Sequence, residues 1–180
     1  DLDYRIWLNW NDNANIIYFG MERVDNVYIN TYPGGNPGDL WSYDAIELML
    51  DGDHTGGDFT GSADPNWTAD EQKFQNNRTA QQYVAIADSP DGRKVGYLGA
   101  GADWVNAPPY ADGGGGGPGE GPTTSVMEFY VTPFDDLIWN SPGDSKASDL
   151  SSGKIIGFQI SVPDFDTAPR EYRAFHNITG

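Results

Sequence analysis

The sequence predicts an all-β fold: an antiparallel β-sandwich, immunoglobulin-like or jelly-roll-like, with long loops rich in glycine and proline. Short segments in which apolar and polar residues alternate recur along the chain, which is the period of a β-strand. Glycine, proline, asparagine and aspartate separate these segments, and helical periodicity is nearly absent, as in antiparallel sandwiches. With 180 residues, the chain 1–180 is predicted to form a single domain.

The first segment is the clearest strand, because every second residue from Leu2 to Trp10 is apolar. A turn at 11–15, rich in asparagine, connects it to a second strand. The segments 83–87 and 94–99 flank the turn sequence SPDGR and are predicted to form a hairpin. The other predicted strands are residues 16–24, 26–32, 42–51, 125–131, 154–162 and 170–176.

Three stretches depart from the strand pattern. Residues 52–80 are polar, with few apolar anchors, and are interpreted as an irregular segment. Residues 133–139, PFDDLIW, are the only helix candidate and are long enough for one or two turns. Residues 111–121, ADGGGGGPGEG, include five consecutive glycines, whose backbone entropy opposes a fixed structure. Because strand patterns continue on both sides, 111–121 is predicted to be a mobile hairpin tip.

Composition excludes several classes of function. The formal charge of −17 argues against nucleic acid and against anionic membranes, both of which require a basic surface. It fits a surface that binds cations, or simply a soluble secreted protein. The chain has no cysteine, which removes disulfides, thiolate zinc sites and cysteine nucleophiles. Since a strand pattern is already running at Asp1, we expect a processed or excised piece of a secreted protein, of bacterial cell-surface type.

Aspartates follow two of the predicted strands. Asp51, Asp53 and Asp58 come directly after the strand 42–51 in a glycine-rich turn. Calcium takes several oxygen ligands from flexible loops, so this turn is a candidate calcium site, although it lacks the register of a helix–loop–helix calcium loop. The PDFD turn supplies a second pair, which can share that ion or hold another: Asp164 and Asp166. The alternative for both clusters is an ordinary solvated acidic turn.

The order of these elements resembles the family 9 carbohydrate-binding modules and their DOMON-like relatives. Three segments carry the resemblance: NDNANIIYFGMERVD, LWSYDAIELMLDGD and GKIIGFQISVPDFD. The second has the spacing of the family signature, a Trp followed by an Asp, a Glu and a strand that ends in Asp. The resemblance covers nearly the whole chain, from residue 2 to about 178. It implies a β-sandwich that binds sugars without catalysis and carries structural calcium.

The resemblance also implies site residues. It places a sugar-stacking ring at Trp41 and a polar sugar contact at Glu47, and the amide contact of the family falls at or near Ser161, with Gln159 two residues earlier. An indole face packs against the C–H bonds of a pyranose, while a carboxylate accepts hydrogen bonds from its hydroxyls. Two further aromatic residues flank the glycine-rich segment and are candidates for ligand binding or for packing: Trp104 and Tyr110.

The predicted function is therefore non-catalytic, calcium-stabilised binding of an extracellular polysaccharide or glycan. The two histidines, His54 and His176, are far apart in sequence, and no nucleophile or zinc-binding motif accompanies them. The alternative is a structural domain of a secreted surface or fibre-forming protein that assembles through sheet edges and bound cations. One departure from the family favours it: the second stacking aromatic is missing, since no Trp follows Trp139.

Overall fold

The computed structural model describes residues 2–92, 94–117 and 123–178, excepting the side chain of Thr123. It contains eleven strands and one α-helix within those residues. The strands are β1 (Leu2–Asn11), β2 (Ile16–Asp25), β3 (Ile46–Asp51), β4 (Gln81–Ala85), β5 (Val95–Tyr97), β6 (Ala111–Gly116), β7 (Thr123–Val131), β8 (Phe134–Asp136), β9 (Lys146–Ala147), β10 (Gly157–Phe165) and β11 (Tyr172–Asn177). The helix is α1 (Ala69–Arg78), and two short 3₁₀ helices span Pro37–Ser42 and Asp103–Asn106.

The strands form a four-stranded sheet, a five-stranded sheet and a small two-stranded ribbon. The four-stranded sheet has the order β1-β2-β7-β6, and the five-stranded sheet has the order β11-β10-β3-β4-β5. The ribbon pairs β8 with β9. All strand pairs in the described residues are antiparallel. The prediction of an all-β, antiparallel protein is thus confirmed.

One buried cluster contains side chains of both large sheets. The four-stranded sheet contributes the alternate residues Ile17, Phe19 and Met21 of β2, and the five-stranded sheet contributes Ile46 and Leu48 of β3. We call it the main core. Phe19 and Phe129 stack within it, with ring centroids 5.0 Å apart. A second, smaller cluster lies on the other side of β4 and consists of Tyr32, Leu40, Tyr43, Ala45, Val84 and Ile86.

The helix is not where the sequence suggested. Residues 133–139 form β8 and flanking turns rather than a helix, so that prediction was wrong. Instead, α1 begins after Thr68, whose hydroxyl accepts a hydrogen bond from the Glu71 backbone N–H. The Glu71 carboxylate accepts in return from the Thr68 backbone N–H. This capping box stabilises the first turn. The helix carries a single large apolar residue, Phe74, so hydrophobic periodicity could not reveal it.

Other boundaries also differ from the sequence predictions. Residues 26–32 do not form a strand, although Tyr28 and Tyr32 are buried, so alternation there reflects packing rather than sheet pairing. β10 begins and ends three residues later than the predicted 154–162. The predicted strands at 83–87 and 94–99 do pair as a hairpin, β4 with β5.

The glycine-rich segment is partly ordered by its neighbour. Residues 111–116 form β6, which pairs along its whole length with β7. Ladder hydrogen bonds to β7 offset the entropy cost of consecutive glycines, which local sequence reasoning could not include. The rest of the predicted loop, 118–121, lies outside the described residues. None of the described helices has the length and apolar character needed to cross a lipid bilayer.

Candidate functional site

Glu47 stands at the centre of a polar strip on the outer face of the five-stranded sheet, the face away from the main core. On β3, Glu47 lies opposite Ser161 of β10, and Met49, two residues on, lies opposite Gln159. Residues that lie directly opposite, or two apart on one strand, share a face of the sheet. The neighbouring strands β4 and β11 add one amide side chain each. The polar strip consists of Glu47, Gln82, Gln159, Ser161 and Asn177.

Hydrogen bonds hold the amide and hydroxyl groups of the polar strip in place. Asn177 Oδ1 accepts from Ser161 Oγ at 2.6 Å and from Gln159 Nε2 at 3.0 Å. From the neighbouring strand β4, Gln82 Nε2 donates to Glu47 Oε2 of β3 at 3.3 Å. Because the donors lie on β4 and β10 and the acceptors lie on β3 and β11, the sheet itself fixes their spacing. The strip therefore presents a preorganised set of acceptors and donors.

Glu47 is a buried carboxyl with few partners. Its exposed fraction is 8%, and among the described residues its one hydrogen-bond donor is Gln82. Burial raises the pKa of Glu47 to about 6, and the hydrogen bond from Gln82 lowers that pKa only in part. A carboxylate can accept about four hydrogen bonds, so Glu47 retains acceptor capacity that a ligand hydroxyl can fill.

Exposed aromatic rings lie beside the polar strip on β11. Tyr172 and Phe175 are 45% and 43% exposed and meet edge to face, with centroids 5.6 Å apart. Tyr172 also stacks on buried Phe165 at 4.6 Å, so its ring is held from one side. Burial raises the pKa of Tyr172, and the negative charge of Glu47 raises it further. Together the two rings offer an apolar surface next to hydrogen-bonding groups.

Trp41 lies in the 3₁₀ helix Pro37–Ser42, half-buried against the smaller cluster over β4. The guanidinium of Arg170 lies over its ring, 5.2 Å from the centroid. Arg170 is held in turn by Ser42 Oγ at 2.9 Å and by Asp39 Oδ1 at 3.1 Å. One face of the predicted stacking ring is thus already used by a cation–π contact.

The structure does not bring Trp104 and Tyr110 to the polar strip. Their rings meet at 4.7 Å and both pack against Phe134, which belongs to the main core. Trp104 Nε1 donates to the Trp139 carbonyl at 2.9 Å. These contacts are those of packing residues at the base of β6, on the core side of the five-stranded sheet.

Buried charge is concentrated around Arg23, on the inner face of β2. Its guanidinium Nη2 donates to Asp25, to Asp44 at 2.8 Å and to Asp164 at 3.3 Å. Nη1 donates to the Pro163 carbonyl at 2.8 Å. Arg23 thereby joins the end of β2, the segment before β3 and the end of β10. Burial raises the pKa of Asp164, and the neighbouring Asp25 raises it further.

Part of this cluster could hold a cation. In the described part of the chain, the only three acidic or histidine side chains whose ligand atoms lie within 4.8 Å of one another are Asp25, Asp164 and Asp166. Asp166 Oδ1 is buried and has no donor among the described residues, while its Oδ2 lies 3.2 Å from Arg173. Counting Asp44 as well, four carboxylates face two guanidinium groups, which leaves two formal negative charges. The donor set therefore fits a divalent, oxygen-preferring cation such as calcium.

The acidic turn after β3 is organised differently. Asp51 Oδ2 accepts from the Gly56 backbone N–H at 2.8 Å, and Asp53 Oδ1 accepts from the backbone and hydroxyl of Thr55. The buried Asp51 Oδ1 has no donor among the described residues. Asp58 contributes its backbone carbonyl to Thr79. Local hydrogen bonds satisfy most of this turn, and the three carboxylates do not converge as closely as those near Arg23.

Sequence reasoning missed the residues that complete both sites. Gln82, Asn177, Tyr172 and Phe175 are brought to Glu47 by pairing of β4 and β11 with their neighbours. Gln82 lies one residue before the predicted strand 83–87, and the observed strand β4 includes it. Nothing local identifies Arg23, Asp25 and Asp44 as a group, because they meet only in the folded chain.

No known protein family, curated protein or solved structure matches this chain.

Proposed function

We propose that this protein is a non-catalytic glycan-binding domain that recognises a polysaccharide through the polar strip. The observation that carries the proposal is the placement of Glu47 and the hydrogen-bonded amides on one sheet face, next to the exposed rings of Tyr172 and Phe175. Sugars offer hydroxyls and apolar C–H faces together, and this surface offers partners for both. Glu47 accepts from hydroxyls, Gln159 and Asn177 exchange hydrogen bonds with them, and the rings stack.

The proposed relationship to the family 9 carbohydrate-binding modules rests on the same placement. Glu47, which the resemblance assigned as a sugar contact, is directly paired across β3 and β10 with Ser161, at or near which the amide contact of the family falls. Trp41 lies on the same side of the sheet, over β4, and we propose that it borders the site with Arg170 rather than forming its centre. We also infer that the two large sheets pack as a β-sandwich, since the main core includes side chains of both.

We propose that calcium supports this domain by binding at Asp25, Asp164 and Asp166. These residues close one end of β10, the strand that carries Gln159 and Ser161, so a cation there would rigidify the strand without contacting sugar. Asp51, Asp53 and Asp58 form the rival site. An extracellular location and attachment to a larger surface protein stay predictions from the sequence, with which the charge of −17 is compatible.

Titration calorimetry with uncharged polysaccharides tests the proposed function. We expect one of xylan, mannan, mixed-linkage glucan or soluble cellulose derivatives to bind with a dissociation constant that Tyr172→Ala raises about tenfold, the loss of one stacking contact. Phe59→Ala is the matched control, because Phe59 is 40% exposed but lies in the loop after β3. Equal affinities for Tyr172→Ala and Phe59→Ala, or binding of none of the panel, would contradict the proposal.

The second candidate function is assembly through a sheet edge. β1 is an edge strand of the four-stranded sheet, ten residues long, and carries the exposed apolar side chains Trp7, Leu8 and Trp10. Long apolar edges favour pairing with another strand. Light scattering after size-exclusion chromatography separates the two functions: a binding domain stays monomeric with and without a chelator, whereas an assembly domain forms oligomers that Trp10→Lys disrupts.

A further inference from the structure

Four residues form a row across the outer face of the four-stranded sheet, at the other side of the main core from the polar strip. Trp7 of β1 lies opposite Gly20 of β2, Gly20 lies opposite Glu128 of β7, and Glu128 lies opposite Gly114 of β6. Because paired residues share a face, all four positions lie on the face away from the core. We call them the glycine row. It alternates a large side chain with a position that has none.

The adjacent row of the same face is aromatic and polar. Two residues along each strand, Asn9, Tyr18, Tyr130 and Asp112 follow one another across the sheet. The rings of Tyr18 and Tyr130 meet at 6.0 Å with a tilt of 58°, and Tyr18 is 40% exposed. Burial and the charge of Asp112 raise the pKa of Tyr130, which places this carboxylate near the phenol. The aromatic pair forms a wall beside the glycine row.

The glycines make the row a cleft. A Cβ at Gly20 would lie 3.8 Å from Trp7 Cε3, so the indole lies over the bare backbone of β2, with 55% of Trp7 still exposed. A Cβ at Gly114 would meet nothing within 4 Å. The resulting cleft has a volume of about 690 Å³, which is within the usual range for ligand sites. Four strands at about 4.8 Å spacing make it about 14 Å long.

The side chains define the ligand class. The indole of Trp7 and the two tyrosine rings offer flat apolar faces, while Asn9, Asp112 and Glu128 offer hydrogen-bonding groups. None of the described residues lining the cleft is Lys or Arg. An anionic polymer would meet two carboxylates without a compensating cation, and an apolar peptide would leave those carboxylates without donors. A neutral, hydroxyl-rich chain satisfies both groups.

We propose that this cleft is a second carbohydrate-binding site, which takes a short run of uncharged pyranose units laid across the strands. Trp7 and the Tyr18–Tyr130 pair stack on the sugar rings, Glu128 and Asp112 accept from hydroxyls, and Gly114 leaves room for the chain. The site is on a different sheet from the polar strip and shares no residue with it. It stands whether or not the polar strip binds sugar.

A pair of glycine substitutions tests the cleft without removing any of its contacts. Gly114→Ile fills the open floor, and Gly116→Ile is the matched control, because it lies on the same strand and face, is equally open, and does not line the cleft. A β-branched residue is favourable in a strand, so both variants retain the fold. The probes are uncharged hexasaccharides of glucose, xylose and mannose, with polygalacturonate as the anionic comparison. Binding is followed by two-dimensional amide and indole NMR.

We expect one neutral hexasaccharide to shift the Trp7 indole resonance together with amides of β2, β6 and β7. Gly114→Ile and Trp7→Ala should weaken that binding about tenfold or more, whereas Gly116→Ile keeps it within about twofold. Glu47→Gln should leave these shifts unchanged, which separates this site from the polar strip. The proposal is overturned if no neutral sugar shifts these resonances, if polygalacturonate binds better, or if the shifts follow protein concentration as in self-association.

Discussion

Asp44 and Glu47 are two buried carboxyls three residues apart in the chain, and their surroundings differ sharply. Asp44 Oδ1 accepts from Arg23 at 2.8 Å and from the Phe165 backbone N–H at 2.9 Å, and its Oδ2 accepts from the Ile29 N–H. Glu47 has one described donor, Gln82, at 3.3 Å. Burial raises the pKa of Asp44 to about 7 and that of Glu47 to about 6.

The difference shows how a structural acid and a binding acid can be distinguished. Desolvation raises the pKa of both carboxyls, and the three donors to Asp44 offset part of that cost, whereas Glu47 has one described donor. The contacts of Asp44 tie β2, β3 and β10 together. Glu47 keeps acceptor capacity beyond its one described donor, and in the proposed function a sugar hydroxyl fills it. Removing Asp44 or its partner should damage stability, while altering Glu47 should damage binding.

The largest expected effect comes from Arg23→Met. This change leaves Asp25, Asp44 and Asp164 facing one another without their shared cation, and breaking a buried ion pair in this way costs about 3–5 kcal/mol. Urea denaturation at pH 7 measures the loss. Arg5→Met on the exposed face of β1 is the control and should stay within about 0.5 kcal/mol. A loss below about 1 kcal/mol at Arg23 would mean that the cluster does not hold the strands together.

Asp44→Asn should destabilise the fold by about 2–3 kcal/mol. Both oxygens of Asp44 accept hydrogen bonds from N–H groups, and the N–H₂ group of asparagine would face one of those donors. Equilibrium denaturation followed by tryptophan fluorescence gives this value. Combining Asp44→Asn with Arg23→Met should cost less than the sum of the two single changes, since both break one network. Additive losses would show that Asp44 and Arg23 act independently.

Glu47→Gln should increase the free energy of unfolding at alkaline pH, whereas the changes at Arg23 and Asp44 decrease it. The Glu47 pKa is raised from 4.5 to about 6, so the stability contributed by its protonated form is full below pH about 4.5 and is lost as pH rises through 6. The neutral amide escapes this loss and should stabilise the domain by about 2 kcal/mol at pH 8, with almost no change at pH 4. A uniform change at both pH values would contradict the raised pKa.

We expect calcium to have the smallest effect on stability. It should act at the cluster around Arg23, which includes Asp44, and not at Glu47. At ten times its dissociation constant, a cation that binds only the native state stabilises it by about 1.4 kcal/mol. The shift should be larger at pH 8 than at pH 5, because the raised pKa of Asp164 makes protons compete with the ion. Asp166→Asn should abolish it and Asp53→Asn should not. The reverse result would move the site to the turn after β3.

The all-β class and the strands β1, β2, β3 and β7 were predictable, because alternation along them is a local property of the sequence. The helix α1 was not, since its stability depends on a capping box and on buried amides rather than on an apolar stripe. Asn77, for example, is fully buried and donates to the Ala100 carbonyl. Local periodicity contains no trace of that contact.

The site was predictable only in part, and for a similar reason. Glu47, Gln159 and Ser161 came from the family resemblance, and strand register then placed them side by side. Their aromatic neighbours on β11 reach Glu47 only because β10 pairs with β3, and Asp25 meets Asp164 only where side chains of the two sheets come together. Both arrangements join segments that are about a hundred residues or more apart. Strand pairing of that range is set by the whole fold, so no window of sequence could supply it.

The most direct test of the account is the pH dependence of glycan affinity. Calorimetry at pH 5 and pH 8 compares Gly114→Ile protein, in which the second cleft is filled, with the same protein carrying Glu47→Gln. Because the ionised carboxyl is the stronger acceptor of hydrogen bonds from hydroxyls, a pKa of about 6 predicts binding up to about tenfold weaker at pH 5 than at pH 8. The Glu47→Gln protein should bind weakly at both. Affinity that is independent of pH, or unchanged by Glu47→Gln, would contradict sugar recognition by the polar strip.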